Sequence, residues 1–239
     1  MLFKLFVLLF FVMCGRYSFV WLLNKLQDEF GSIRVKSDGF TKYNISPGQL
    51  NPVILEDENQ AQIIDFYRWG LVPHWALGKP NFGFRTINAR VEGISDSPMY
   101  KRPFLNQRCI VPASGFYEWQ KGTTGKTPFY IHPTKLPYFA FAGIYESWKT
   151  DDGVPFNSYS IITRAADKEM SKLHDRMPVM LKKKHFKEWV ASGDKPESEL
   201  KNILEDYEHD LKFHIVSKDV NSSRNESESL IKPVQGTLF

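Results

Sequence analysis

The chain has 239 residues, of which 42% are hydrophobic and 24% charged, and these values exclude a wholly disordered chain, a collagen and a coiled coil. Its net charge of +4 permits binding to nucleic acid without demonstrating it. The cysteines, Cys14 and Cys109, form neither a disulfide framework nor a four-cysteine zinc site. A reducing compartment fits them best, so we expect a globular, cytoplasmic protein.

The first 13 residues, MLFKLFVLLFFVM, are apolar apart from Lys4. The run is too short to cross a bilayer as a helix, which takes about 20 residues, although it resembles the start of a secretory signal. A lipoprotein signal needs a small residue before its cysteine, whereas Met13 precedes Cys14 here. We favour an in-frame extension upstream of a true start at Met13, and we keep secretion or lipid anchoring as the alternative.

Hydrophobic periodicity predicts the secondary structure in chain order. Residues 18–30 repeat apolar side chains at intervals of three and four, which predicts a helix with Ser18 as its cap and Gly31 as its end. Runs rich in β-branched and aromatic residues predict strands at 52–56, 63–69, 109–113, 127–132, 138–148, 157–163 and 211–217. Further helices are expected at 96–107, 185–192 and 197–208, and loops at 44–48, 57–60, 70–84 and from Val220 onwards.

The order of these elements indicates the fold class. Short strands with interspersed helices, but without regular alternation of strand and helix, favour one α+β domain with a mostly antiparallel sheet. We find neither an internal repeat nor a low-complexity linker in the sequence.

Several well-known motifs are missing from the sequence: GxGxxG, GxxxxGK(S/T), HExxH, paired CxxC and GxSxG. In six other segments, a reactive or hydrogen-bonding side chain stands beside a glycine, a proline or a strand. These segments are MCGRY at 13–17, WGLVPHW at 69–75, INARVE at 87–92, RCIVPASGFYEW at 108–119, ITRAA at 162–166 and HDRMPVML at 174–181.

The order and spacing of the six segments resemble the SOS response-associated peptidase (SRAP) family, the abasic-site processing proteins of bacteria and eukaryotes. The resemblance covers residues 13–233. It implies a single SRAP domain at 14–239, with a barrel-like, mostly antiparallel sheet surrounded by helices, and it leaves residues 1–13 outside the mature protein. It implies no metal and no organic cofactor.

Cys14 follows Met13 where the family has its N-terminal cysteine, so the resemblance implies that Met13 is removed. A cysteine with a free α-amine can take up the aldehyde of an opened abasic site as a Schiff base, which the thiol closes to a thiazolidine. The product is a covalent protein–DNA crosslink that shields the lesion. The resemblance also implies a thiol autopeptidase that cuts the bond before Cys14. On its own, a lone cysteine is equally typical of a small buried hydrophobe.

Three further residues take catalytic roles by the same resemblance. Glu118 is the general acid–base, and its aromatic neighbours in GFYEW favour a desolvated carboxyl with a raised pKa. His174 is the second proton-transfer group, since histidine titrates near neutrality. Asn88 hydrogen-bonds near the reacting centre. The alternatives are a solvated strand glutamate, a structural histidine and a local strand-end contact.

The resemblance implies DNA-binding roles for Arg16, Asn44, Pro47, Trp75, Arg90 and Arg176. Arg90 and Arg176 are expected to bind phosphate, because the planar guanidinium matches two phosphate oxygens. Trp75 and Pro47 are expected on a rim that stacks against bases. Many members carry a second aromatic residue after this tryptophan, whereas this chain has Ala76.

We expect the partner to be single-stranded DNA containing abasic sites, with the protein monomeric and not associated with a membrane. Two other functions stay open: a non-covalent reader of modified or damaged bases, and a secreted or membrane-anchored lipoprotein. The remaining histidines apart from His74, together with Cys109, are interpreted as structural. Residues 182–184 form a basic run that is typical of a solvated face, with DNA contact as its alternative.

Overall fold

The structure is a computed structural model that describes residues 14–234 except 32, 36–38, 77, 80, 124 and 209. The extension at 1–13 and His209 therefore lie outside the described residues. The strands are β1 (Tyr17–Phe19), β2 (Arg34–Val35), β3 (Lys42–Ile45), β4 (Leu50–Glu56), β5 (Gln62–Trp69), β6 (Asn88–Arg90), β7 (Arg108–Ala113), β8 (Gly115–Gly122), β9 (Gly125–Pro133), β10 (Phe139–Lys149), β11 (Pro155–Ala165), β12 (Arg176–Pro178) and β13 (Leu211–Ile215). The helices are α1 (Leu23–Phe30), α2 (Lys101–Asn106), α3 (Phe186–Val190) and α4 (Glu197–Glu205).

Strand β11 closes a ring of strands. Around the ring, β4 pairs with β5, β5 with β11, β11 with β10, β10 with β7, and β7 with β4. All of these pairings are antiparallel except the short parallel one between β5 and β11, in which Arg68 lies opposite Ser158 and Trp69 opposite Tyr159. A second sheet has the order β13-β9-β8-β1-β3. The predicted α+β domain with a barrel-like, mostly antiparallel sheet is therefore confirmed.

Aromatic packing joins the second sheet to the ring. Tyr17 of β1 is fully buried, and its ring meets Trp69 edge to face with centroids 5.1 Å apart. The hydroxyl of Tyr17 lies 2.8 Å from that of Tyr159 on β11, which satisfies both buried oxygens. The strand that follows Cys14 is therefore anchored in the core, which fixes the position of the chain just before it.

Most of the predicted elements are confirmed, and all four helices are shorter than expected, the first two by five or more residues. Residues 18–30 are a helix only from Leu23, because Tyr17–Phe19 pair as a strand with β3 and β8. Ser18 is not a cap, since its buried hydroxyl lies 2.8 Å from that of Tyr130. Residues 96–107 are a helix only over Lys101–Asn106, because residues 94–100 turn around Pro98. In the tail, Val220 and Leu230 are buried beside Tyr117 although the segment has only short 3₁₀ turns.

Candidate active site

Cys14 and Glu118 meet because β1 and β8 run antiparallel. Tyr17 lies opposite Phe116 and Ser18 opposite Gly115, so the residues before β1 extend along the part of β8 that carries Glu118. The backbone N–H of Cys14 donates to Oε1 of Glu118 over 2.7 Å. Cys14 is fully buried and Glu118 is 4% exposed. The backbone at Cys14 has a φ of 41°, in the left-handed region that residues other than glycine seldom adopt.

Burial controls the protonation of this pair. Desolvation raises the pKa of Glu118 from its ordinary 4.5 to about 8, against the opposing effect of hydrogen bonds from the N–H groups of Cys14 and Trp119. Asp175 raises this pKa further and Lys126 lowers it. Burial, reinforced by Glu118, also raises the pKa of the Cys14 thiol. At neutral pH the site therefore holds a carboxylic acid beside a neutral thiol.

His174 lies in the same electrostatic environment, since Asp175 and Lys126 act on its pKa as well. Burial lowers the pKa of His174, Lys121 and Lys126 lower it further, and Asp175 opposes them. Its Nδ1 lies 3.1 Å from the backbone N–H of Arg176 and 2.8 Å from Oδ1 of Asp175. These contacts conflict, because Nδ1 accepts from the first and must be protonated to donate to the second. The lowered pKa favours a neutral ring that accepts from Arg176 and carries its proton on Nε2.

A cavity of about 630 Å³ is lined by His174 and by Trp119, the neighbour of Glu118 on β8, and we call it the basic groove. Cys14 and Glu118 do not line it. Its lining includes Arg90, Trp119, Lys121, Lys172 and His174. Sequence reasoning missed Trp119, Lys121 and Lys172 as lining residues. The signal for two of them was present in β8, because alternate residues of a strand share one face. Trp119 and Lys121 therefore project to the side opposite Glu118.

Strand β6 brings Asn88 and Arg90 to this region. It runs parallel to β11, with Asn88 opposite Ile161 and Arg90 opposite Thr163. Asn88 is half-buried and its carbonyl accepts from the hydroxyl of Tyr100 over 3.2 Å. Arg90 is exposed, as a phosphate contact requires.

Arg176 is placed differently from Arg90. Its side chain is only 12% exposed, and both terminal nitrogens donate to the carboxylate of Glu92. One of them also donates to the carbonyl of Thr163 over 2.8 Å. The phosphate contact predicted for Arg176 stays a prediction, and a phosphate would have to displace Glu92 to make it.

Arg16 and Asn44 tie the second sheet to the C-terminal segment. Nη1 of Arg16 donates to Oδ1 of Asn44 over 2.6 Å and to the carbonyl of Val220 over 2.9 Å. The amide of Asn44 donates in turn to the carbonyls of Ser222 and Asn225, each over 2.9 Å. These contacts give both residues a structural role, and their predicted contact with DNA stays a prediction.

Trp75 stands on an aromatic rim. It is 58% exposed, Phe82 meets it edge to face at 5.5 Å, and the ammonium of Lys79 lies 5.1 Å from its ring centre. Phe84, which sequence reasoning missed, is 51% exposed nearby and packs against Gly48, the residue after the half-buried Pro47. Gly48 has a φ of 84°, a left-handed conformation that favours glycine.

Cys109 and the basic run lie in ordinary structural surroundings. Cys109 is fully buried, as predicted. In the basic run, Lys184 lies 2.5 Å from Asp206, and Lys183 donates to the carbonyl of Asp28 over 2.6 Å. Among the described residues, no three histidine, cysteine or acidic side chains are grouped to hold a metal. In that same part of the chain, no helix is long and apolar enough to cross a membrane.

The site thus combines a buried cysteine, whose backbone N–H donates to a carboxyl of raised pKa, with a nearby groove lined by arginine and lysine side chains on a small closed barrel. Residues 13–223 match the sequence model of the SOS response associated peptidase (SRAP) family, and the chain belongs to that family. It is 36% identical over 223 residues to abasic site processing protein YoaM of Bacillus subtilis. The aligned region covers 92% of this chain and 97% of YoaM.

More distant relatives and solved structures agree with this assignment. Abasic site processing protein HMCES of Gallus gallus is 31% identical over 224 residues, covering 81% of this chain and 66% of that one. A crystal structure from Bacteroides thetaiotaomicron matches with a TM-score of 0.70 and 25% identity, covering 80% of this chain and 85% of that one. Another, from Bordetella bronchiseptica, has a TM-score of 0.70 at 19% identity, covers 85% of this chain and 100% of that one, and shows likeness of fold alone.

Proposed function

We propose that this protein captures abasic sites in single-stranded DNA by forming a thiazolidine between Cys14 and the aldehyde of the opened sugar. The observation that carries the proposal is the 2.7 Å hydrogen bond from the nitrogen of Cys14 to Glu118, a carboxyl whose pKa is raised to about 8. The nitrogen in this hydrogen bond is the backbone amide of Cys14, which becomes the amine once residue 13 is removed, so amine, thiol and proton donor would belong to one buried pair. The basic groove begins at the next residues of β8, Trp119 and Gln120. The mature domain begins at Cys14, because the chemistry requires a free amine there.

Crosslinking proceeds through ring opening, imine formation and ring closure by sulfur. Glu118 donates a proton to the sugar ring oxygen as the ring C–O bond breaks, and the anomeric hydroxyl gives its proton to His174 as the aldehyde forms. The amine of Cys14 then adds to the aldehyde carbon, and one of its protons passes to the aldehyde oxygen, which gives a carbinolamine. Protonated His174 gives its proton to the carbinolamine hydroxyl, which leaves as water, while the Glu118 carboxylate takes the remaining proton from the nitrogen, and the imine results. The sulfur then adds to the imine carbon while the thiol proton passes to the nitrogen, which closes the five-membered ring. His174 serves as the second proton-transfer group, and Asn88 hydrogen-bonds near the reacting carbon.

A denaturing gel tests this function directly. A chain beginning at Cys14 is incubated with a single strand carrying one abasic site, and in parallel with the undamaged strand. A heat-stable adduct is expected with the damaged strand alone. Retained binding to both strands without an adduct would instead indicate a non-covalent reader of damaged bases.

The same hydrogen bond supports removal of residues 1–13 by the protein itself. The Cys14 sulfur attacks the carbonyl carbon of residue 13, and Glu118 protonates the departing nitrogen and takes the thiol proton in exchange as the C–N bond breaks. Water then hydrolyses the thioester to a carboxylate on residue 13 and the free Cys14 thiol. The departing nitrogen needs a proton, and Glu118 is hydrogen-bonded to that atom. Translation from Met13 followed by an aminopeptidase, or cleavage by another peptidase, are the alternative routes.

Intact mass distinguishes these routes. Translation from Met13, the route favoured from the sequence, gives wild-type and Cys14→Ala chains that both begin at residue 13 or 14. Self-cleavage instead gives a wild-type chain that begins at Cys14 and a Cys14→Ala chain that keeps residues 1–13, because the variant has no nucleophile. Both chains beginning at residue 13 or 14 would contradict self-cleavage and indicate an internal start or another peptidase.

Arg90→Ala is expected to weaken binding to single strands in a salt-dependent way. One lost phosphate contact lowers the slope of log affinity against log salt by about 0.7. Fluorescence anisotropy with undamaged single strands across a salt series measures the slope. Arg34→Ala is the matched control. Arg34 lies on β2, pairs with Asp57 at 2.6 Å and does not line the basic groove. Equal slopes in wild type and Arg90→Ala would make Arg90 a structural residue.

A further inference from the structure

Glu92 ends the INARVE segment and takes no part in the proposed crosslinking chemistry. It lies in the 3₁₀ turn Val91–Gly93, directly after β6. Although its side chain is 53% exposed, both of its oxygens accept from Arg176, and hydrogen bonds from Arg176 are the main cause that lowers its pKa. Such a two-point contact fixes the guanidinium in orientation as well as position.

Arg176 transmits this constraint to His174 through its backbone. Its guanidinium is held on Glu92 and on both oxygens of Thr163, at 2.8 Å from the carbonyl and 3.3 Å from the hydroxyl. The register of β12 on β11 places Arg176 opposite Ala165. With side chain and strand both fixed, the backbone N–H of Arg176 is held 3.1 Å from Nδ1 of His174.

The ring of His174 has two competing partners at this one nitrogen. When Nδ1 accepts from Arg176, the ring is neutral and presents Nε2–H. When Nδ1 is protonated, it donates to Asp175, whose side chain is 85% exposed. The two states differ by a proton at the residue that is to transfer one.

We propose that Glu92 is a positioning residue for His174: by holding Arg176, it keeps Nδ1 as an acceptor and the ring proton on Nε2. The inference rests on the proposed function, in which His174 transfers a proton. In this proposal Arg176, on β12, supports the site, whereas Arg90, on β6, lines the basic groove.

The charged groups near the imidazole of His174 determine in which direction its pKa should change when Glu92 is replaced. Asp175 favours protonation of His174, whereas Lys121 and Lys126 oppose it. Arg90 and Lys172 line the same groove, and Glu118 responds to Asp175 and Lys126 as well. Removing the negative charge of Glu92 would by Coulomb's law alone make the histidine harder to protonate. Loss of the hydrogen bond from Arg176 would instead raise the pKa of His174, because Nδ1 could then be protonated and donate to Asp175.

The experiment follows the ring nitrogens of His174 by ¹⁵N NMR during a pH titration of the DNA-free protein. Glu92→Gln is compared with wild type, and Glu197→Gln, which loses an exposed ion pair with Lys201 on α4, is the matched control. We expect Nε2–H in wild type, and in Glu92→Gln a pKa of His174 raised by about 0.5 or more. Arg176→Lys, which keeps the charge but loses the planar fork, is expected to behave in the same way.

Crosslinking gives the second measurement. The single-turnover rate of Glu92→Gln on abasic single strands at pH 7 is expected to fall roughly tenfold, with its pH profile moved in the direction of the histidine titration. Affinity for undamaged strands and its salt slope stay unchanged. Because the NMR measurement needs no DNA, a wild-type protein without an adduct would refute the proposed function and leave the role of Glu92 to be judged separately.

Two results would overturn the inference. One is a pKa of His174 that is unchanged or lowered in both Glu92→Gln and Arg176→Lys. The other is a steeper salt slope in Glu92→Gln without any change at His174, which would mean that Glu92 restrains Arg176 from binding phosphate.

Discussion

Cys14→Ser is expected to abolish the heat-stable adduct with abasic DNA while leaving affinity for undamaged single strands intact. Serine keeps the α-amine, so a Schiff base can still form, but its hydroxyl is a much weaker nucleophile than the thiol for closing the ring. The imine is reversible and is lost on denaturation. The measurement is a denaturing gel, run with and without borohydride, which reduces an imine to a stable amine.

Cys109→Ser is the matched control, because Cys109 is equally buried but lies in β7. It is expected to crosslink like wild type. For Cys14→Ser, an adduct that forms only with borohydride would separate the role of the amine from that of the thiol. An undiminished adduct without borohydride would contradict the proposed chemistry.

Glu118→Gln is expected to slow crosslinking by roughly 10²–10⁴-fold, the usual effect of losing a general acid–base. Glutamine still accepts a hydrogen bond at Oε1, so the geometry around Cys14 is kept while the proton is lost. Single-turnover rates on abasic single strands give the effect. Glu146→Gln is the control, since Glu146 is also buried with a raised pKa but pairs with Arg102 at 3.2 Å. A rate within about twofold of wild type would exclude Glu118 as the proton donor.

The raised pKa of Glu118 also predicts a pH-dependent stability. In the chain with a peptide bond before Cys14, the folded protein keeps a proton on Glu118 up to about pH 8, whereas the unfolded chain releases it near its ordinary value of 4.5. Glu118 therefore lowers the free energy of unfolding as the pH rises through this interval, by about 1.4 kcal/mol for each pH unit between the two pKa values. Glu118→Gln is expected to gain stability relative to wild type as the pH rises from 5 to 8, as measured by urea denaturation.

The seven predicted strands were recognisable because each carries a strong local signal, whereas β1, β2, β3, β6, β8 and β12 were not predicted as strands. The buried, β-branched stretches of β4 and β7 show it best, and the turn at 57–60 is closed by Asp57, as its composition indicates. The start of α1 was not predictable in this way. Tyr17–Phe19 fit a helical pattern locally, but pairing with β3 and β8, far along the chain, makes them a strand.

In the candidate site, too, some features could be predicted from the sequence and others depend on the fold. Cys14 and Glu118 were identified from motifs, and their hydrogen bond follows from a strand register that sequence does not reveal. The pairing of Glu92 with Arg176 spans 84 positions and depends on β6 and β12 both meeting β11. Motif residues whose partners lie that far away can be recognised in sequence, but their roles cannot.

The left-handed backbone at Cys14 has a consequence for the timing of maturation. A φ angle exists only where a residue precedes, and a residue other than glycine adopts 41° at a cost of about 1–2 kcal/mol. An N-terminal cysteine has no such angle, so removing residue 13 releases this torsional energy. The unfolded chain carries no strain there. In the proposed self-cleavage, we therefore expect hydrolysis before Cys14 to be more favourable after folding than before it, so that folding promotes the exposure of the amine.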